Sequence, residues 1–282
     1  MRSASEIQTL LIDIAKNDER IRAVLLSGSR ANPQIPPDSY QDFDIVYIVN
    51  QLQTFTNDHS WVEVFGERII MQLPDEMSFG EKRHVGFGYL MLFKDGNRID
   101  LTLFPADKAK KDYWPDSLTV CLLDKDGLFQ NISNPDDRDY LIKTPTEKEF
   151  QDVCNEFWWV STYIAKGLLR KEITYAKEMM STVVRPMFMK MVEWYIGVKT
   201  DFSVSFGKAG RFMKEYLCKE EYEFILQTYS DQQIENNWNS LFKITELFSQ
   251  FASEVAVQLG FRYNLKEEVN VRSYLKDCFH SK

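Results

Sequence analysis

Three aspartates and one glycine-serine pair have the types and spacing to do chemistry in this sequence. Leu25-Leu26-Ser27-Gly28-Ser29-Arg30 is followed, after the stretch from Arg30 to Gln41, by Asp42-Phe43-Asp44-Ile45-Val46. Side chains alternate across a strand, so Asp42 and Asp44 are expected on one face and Phe43 and Ile45 in the core. Two carboxylates spaced about 7 Å apart along a strand suit a hard cation that prefers oxygen ligands, namely Mg²⁺. Gly28 allows close approach of the backbone to a ligand, and the Ser29 amide and hydroxyl can donate to phosphate oxygens. Asp100 is a third acid, set in the otherwise apolar run of Arg98-Ile99-Asp100-Leu101-Thr102-Leu103. Burying a lone carboxylate there is costly unless a metal or a donor meets it.

These residues need a scaffold, and the apolar pattern supplies one. Ile7, Leu10, Leu11 and Ile14 predict an amphipathic helix to about Asn17. Strand-length runs follow at Ile21 to Leu26, Phe43 to Val49, Arg68 to Leu73, Tyr89 to Phe93, Arg98 to Phe104 and Leu118 to Leu123. Lys94-Asp95-Gly96-Asn97 carries a tight-turn pair, so residues 89 to 104 are expected to form an antiparallel hairpin.

The pattern turns helical near residue 144. In Thr144-Pro145-Thr146-Glu147 the threonine is expected to cap, the proline to open the helix and the glutamate to close a capping box. Apolar stripes then run through Phe150, Cys154, Phe157, Ser161, Ile164 and Leu168, and through Ile173, Ala176, Met180, Val183, Met187 and Met191. Pro186 must kink or restart the second helix. A third stripe runs from Trp238 through Leu241, Phe248, Ala252, Val255 and Leu259, and Gly260 stops it. Such stripes read as core rather than as a cofactor box. The expected fold class is α+β, with an N-terminal domain over residues 1–143 and a helical domain over 144–282.

Composition narrows the partners. Among 282 residues, 42 acidic against 34 basic side chains leave a net charge of −8. A general nucleic-acid binder needs a basic face, so none is expected. The longest apolar runs are about five residues, well short of the ~20 of a membrane helix, and Glu6, Asp13, Asp18 and Glu19 argue against a signal peptide. Four separated cysteines without a CxxC pair read as reduced thiols, which predicts a cytoplasmic protein with no membrane partner.

Gly-Ser after a strand, a spacer, Asp-x-Asp and a later in-strand acid together resemble the nucleotidyltransferase superfamily. Further segments are similar to the aminoglycoside 6-adenylyltransferase family, which acts on streptomycin: Glu19-Arg20-Ile21-Arg22, Asn155-Glu156-Phe157-Trp158-Trp159-Val160-Ser161, Val184-Arg185-Pro186 and Gly207-Lys208-Ala209-Gly210-Arg211-Phe212-Met213-Lys214. The resemblance spans about residues 3 to 275. It implies an N-terminal nucleotidyltransferase-fold mixed sheet with flanking helices, followed by a C-terminal helical bundle.

It also implies transfer of AMP from ATP, with Mg²⁺, to a hydroxyl of streptomycin, with release of pyrophosphate. Asp42 and Asp44 would hold the metal and Asp100 would share it; the proton of the hydroxyl would go to Asp100 or to Glu156, of which Asp100 is favoured; and Gly28, Ser29, Arg30 and Lys208 would contact the nucleotide. Lys214 is a further phosphate candidate. Streptomycin carries two guanidino groups, which suits carboxylates and aromatic faces. Glu149, Asp152 and Glu156 beside Trp158 and Trp159 supply both, with Glu156 and Trp159 favoured as drug ligands. The expected partners are ATP and the aminoglycoside, and the expected state is a monomer. Two alternatives remain open: an adenylyltransferase for another small-molecule or protein acceptor, and a nucleotide-binding regulator without transfer activity.

Overall fold

A computed structural model describes residues 1–281, apart from the side chain of Lys110. The chain forms two compact units, Met1–Asp139 and Tyr140–Lys282.

The first unit is built on a six-stranded mixed sheet. Its strands are β1 (Ile21–Ser27), β2 (Phe43–Val49), β3 (Arg68–Gln72), β4 (Phe87–Phe93), β5 (Arg98–Pro105) and β6 (Val120–Asp124). Their order is β3-β4-β5-β2-β1-β6, antiparallel throughout except for the central β2–β5 pair, which is parallel. The expected hairpin is β4–β5, closed where the Phe93 amide donates to Asn97 O and the Gly96 amide donates to Phe93 O, each at 2.9 Å.

Alternation sorts the strands onto two faces. Phe43, Ile45, Tyr47 and Val49 of β2, with Ile99, Leu101 and Leu103 of β5, enter the larger core. The Ala4–Asn17 helix covers that core with Ile7, Leu11 and Ala15, and Ser3 and Glu6 close its first turn as a capping box. The Tyr47 hydroxyl crosses the core to donate to Leu11 O at 2.7 Å, so this buried polar atom is satisfied. The opposite face buries a smaller cluster: Ala23, Leu25, Ile48, Phe104, Ala109 and Phe129. That cluster covers only one end of the central strands, a limit that decides where charged side chains can stand.

The second unit is helical. Its main helices are Glu147–Leu169, Ile173–Met179, Arg185–Lys199, Ile234–Leu259 and Leu265–His280. Phe150, Phe157, Trp158, Phe188, Trp194, Phe248 and Phe251 fill one core. Phe157 and Phe248 stack face to face, with centroids 3.6 Å apart. Gly260 ends the Ile234–Leu259 helix in the left-handed conformation, as the sequence predicts.

Two helical expectations need correction. The Glu147–Leu169 helix is capped by Thr146, with Glu149 returning to the Thr146 amide and hydroxyl, so Thr144 and Pro145 lie outside it. Thr146 and Glu149 repeat, two residues later, the same threonine-to-glutamate spacing that Thr144 and Glu147 offer, and the helix starts at the second. Ahead of Pro186, the helix widens into a π segment at Met180–Val184, and Arg185–Lys199 then restarts it. The wide turn shifts the buried face by one residue, so Val184 and Phe188 are buried where the regular period predicts Val183 and Met187.

Candidate functional site

Sheet register assembles the acids. In the parallel β2–β5 pair, Asp44 lies directly beside Asp100, and in the antiparallel β1–β2 pair Ser27 lies beside Asp44. Asp44 and Asp100 belong to the face of Ile48 and Phe104, whose apolar cluster stops short of the strand starts. Asp42 precedes β2 and shares its half-exposed character. Three carboxylates thus stand where the central strands begin, on the part of that face left without apolar cover. The Ser27 hydroxyl, 3.3 Å from that of Thr119, adds neutral oxygens along this edge.

Gly28 is forced by two demands. Its φ is +72°, and a Cβ built there would run into the Asp44 carboxylate. Only a residue without a side chain lets the turn pass so close to the acid.

Arg98 is the residue that sequence reasoning missed. Its Nε and one terminal nitrogen donate to the two carboxylate oxygens of Asp100, at 2.8 and 2.7 Å, and its other terminal nitrogen lies 3.6 Å from Asp42 Oδ2. Those hydrogen bonds, followed by the charges of Asp100, Asp42 and Asp44, hold the guanidinium above the ordinary arginine range against the effect of burial. As they stand, no three Asp, Glu, His or Cys side chains among the described residues converge tightly enough to chelate a metal. The donor set is nevertheless that of a hard cation: carboxylate and hydroxyl oxygens, with no sulfur. Arg98 itself shows that positive charge is stabilised between Asp42 and Asp100. That donor chemistry fits Mg²⁺, and Asp42, Asp44 and Asp100 are the residues that would hold it.

Arg30 is bonded to the scaffold beside the turn. Its Nε donates to Asp42 O at 3.1 Å, a terminal nitrogen donates to Gln41 O at 2.7 Å, and the guanidinium lies 3.8 Å above the Phe43 ring. Burial lowers its pKa, partly offset by Asp38 and Asp42. The side chain thus ties the Gly28–Arg30 turn to the start of β2, which fixes both motifs relative to each other. Gln41 Nε2 adds a second tie to Ser29 O at 3.3 Å. A cavity of about 330 Å³ opens beside Ser29 and Arg30, but it lies under Phe43 and Ile45, on the face opposite the carboxylates.

The helical unit treats its candidates unevenly. Glu156 and Trp159 are exposed, and Trp159 donates through Nε1 to Tyr163 Oη at 2.8 Å, forming an aromatic pair on the outer side of their helix. Trp158 is 2% exposed and donates to Tyr263 Oη, so it is core rather than a drug contact. Glu149 is consumed by its capping box, and Asp152 pairs with Lys148. Lys208 is exposed in the short turn Lys208–Gly210, and the Lys214 ammonium lies 5.8 Å from the Tyr222 ring. Several family-like segments serve the scaffold. Arg185 donates to Thr228 O at 2.7 Å and stacks on Tyr229, and Arg22 forms a two-point ion pair with Asp126.

Comparison with known proteins agrees with these motifs. The family model described as streptomycin adenylyltransferase matches residues 1–278. The chain is similar to aminoglycoside 6-adenylyltransferases of Bacillus subtilis (strain 168), 44% identical over 93% of both chains, and of Campylobacter jejuni, 43% identical over 95% of this chain and 93% of that one. It is 35% identical to the protein of that name from Staphylococcus aureus over the full length of both. A crystal structure of an aminoglycoside 6-adenyltransferase from Bacillus subtilis is 38% identical over 99% of each chain, with a TM-score of 0.49.

Proposed function

Because this chain belongs to the streptomycin adenylyltransferase family and is an aminoglycoside nucleotidyltransferase, we propose that it transfers AMP from Mg-ATP to a hydroxyl of streptomycin. The observation that supports this reading best is the parallel register that sets Asp44 beside Asp100, with Gly28 closing onto Asp44.

The reaction is a displacement at the α-phosphorus. The drug hydroxyl oxygen forms the new P–O bond, the bond to the bridging oxygen breaks, and pyrophosphate leaves with that electron pair. Asp42, Asp44 and Asp100 would hold the metal, which when bound would neutralise phosphate charge. The Ser29 amide and hydroxyl donate to the β- or γ-phosphate, and Gly28 keeps the backbone low enough for that approach. Asp100 accepts the proton of the hydroxyl, as a carboxylate on the strand beside Asp44. Arg30 ties the turn to the start of β2, and Lys208 would supply a positive charge for the nucleotide.

On the helical unit, Glu156 would pair with a guanidino group of the drug and Trp159 would give it an aromatic face. In this reading the sheet unit binds ATP and Mg²⁺ and the helical unit binds the drug. The working form is a monomer in the cytoplasm; among the described residues no helix is long and apolar enough to cross a membrane.

The test is incubation with ATP labelled at the α-phosphate, Mg²⁺ and a panel of aminoglycosides, with mass spectrometry of the products. Streptomycin should gain AMP and kanamycin, which lacks the streptidine ring, should not. AMP added to kanamycin but never to streptomycin overturns the acceptor, and no transfer to any member of the panel overturns the assigned substrate class.

A further inference from the structure

Arg98 takes no part in the reaction as derived above, yet its guanidinium reaches two of the three carboxylates. We propose that Arg98 is a resident counter-cation of the carboxylate cluster, which a divalent metal must displace, so that metal binding is an exchange of one cation for another. The inference rests on the metal-site reading of Asp42, Asp44 and Asp100.

Geometry carries it. The planar fork of Arg98 covers both Asp100 oxygens at 2.7 and 2.8 Å, and its remaining nitrogen is 3.6 Å from Asp42. A two-point arginine–carboxylate pair uses the in-plane lone pairs on the side facing the guanidinium. Mg²⁺ demands short, near-octahedral contacts of about 2.0–2.1 Å, and it repels a guanidinium held against the same oxygens. Both cations therefore cannot occupy that side of Asp100 at once.

The arginine is built to leave. Its side chain is 43% exposed, whereas that of Asp100 is 20% exposed, so the guanidinium can swing into water while the acid stays on its strand. There is also a reason for it to stay when no metal is present. Carboxylates crowded on neighbouring strands repel one another and favour protonation or local unravelling. Arg98 offsets that repulsion and holds Asp100 in place through two hydrogen bonds, at the expense of affinity for free metal. Lysine at this position keeps the charge but places only one ammonium, not a fork, and should be an easier cation to displace.

The experiment is calorimetric titration of the full chain with MgCl₂ alone at fixed ionic strength, together with thermal unfolding in EDTA. The proteins are wild type, Arg98→Ala, Arg98→Lys and Asp44→Asn. Arg98→Ala should melt below wild type in EDTA, yet reach half-saturation at about tenfold lower Mg²⁺, in the usual range of a coupling between two ligands. Arg98→Lys should lie between the two, and it carries the test if the alanine chain does not fold. Asp44→Asn should lose the Mg²⁺ response. If wild type binds Mg²⁺ and Asp44→Asn does not, but the Arg98 variants bind with wild-type or weaker affinity, the exchange is overturned while the metal site stands. If no protein binds Mg²⁺, the metal site and the exchange fall together.

Discussion

In the sheet unit, Asp44 and Asp100 stand side by side on the two central strands, held by register, with Arg98 between acids and Gly28 pressed against one of them. In the helical unit, Glu156 and Trp159 stand exposed on the outer side of a helix whose other side buries Phe157 and Trp158. A helix has a solvent side on which an acid costs almost nothing, so an exposed Glu or Asp there says little by itself. Central strands leave little open face, and there register crowds Asp44 against Asp100 on the short stretch without apolar cover. Acids crowded in this way repel one another and call for a cation, which is stronger evidence for a ligand than an acid on a helix surface. The same contrast explains why the helical candidates dispersed. Glu149 caps, Asp152 pairs locally and Trp158 packs, each a structural use that a helix offers to such residues.

Substitutions that weigh one unit against the other sharpen the contrast, the largest first. Asp44→Asn should lower the rate of adenylyl transfer at least about a hundredfold while leaving the melting curve close to wild type, since a lost metal ligand costs several kcal/mol of transition-state stabilisation. Activity within threefold of wild type would remove Asp44 from the site. Phe248→Ala, in the helical core, should do the reverse: roughly 3–5 kcal/mol of stability lost in denaturant unfolding, through the cavity left beside Phe157. Arg30→Met should cost about 1.5–3 kcal/mol by leaving the carbonyls of Gln41 and Asp42 without their donor, and should slow transfer as the turn loosens. An unchanged melting point would show that the tie is dispensable. Trp159→Ala should change stability by less than about 0.5 kcal/mol, because the ring is mostly in solvent, yet raise the streptomycin KM. A KM equal to wild type would leave Trp159 without a role.

How much of this was legible in the sequence follows from the range of each signal. The strands were readable because alternation and β-branched or aromatic residues act locally, and β2 and the β4–β5 hairpin lie where those patterns put them. The cap moved from Thr144 to Thr146 because two equivalent threonines lie two residues apart. The buried stripe moved from Val183 to Val184 because a π turn cannot be seen in a regular period. Around the acids, the motif spacing was visible but the pairing was not. Nothing local says that β5 runs parallel to β2 in the register that puts Asp100 beside Asp44. Arg98 was overlooked for the same reason. An arginine opening a strand reads as a solvated end until the fold sets it against acids from two segments.

The central claim is that a sheet acid performs the chemistry and a helix acid binds the drug. Steady-state kinetics of Asp100→Asn and Glu156→Gln, measured side by side over a range of streptomycin concentrations at saturating Mg-ATP, test it most directly. Asp100→Asn should collapse kcat, and Glu156→Gln should mainly raise the streptomycin KM with kcat near wild type. Loss of turnover at saturating drug in Glu156→Gln, with most of it kept in Asp100→Asn, would contradict the assignment and move the chemistry to the helix.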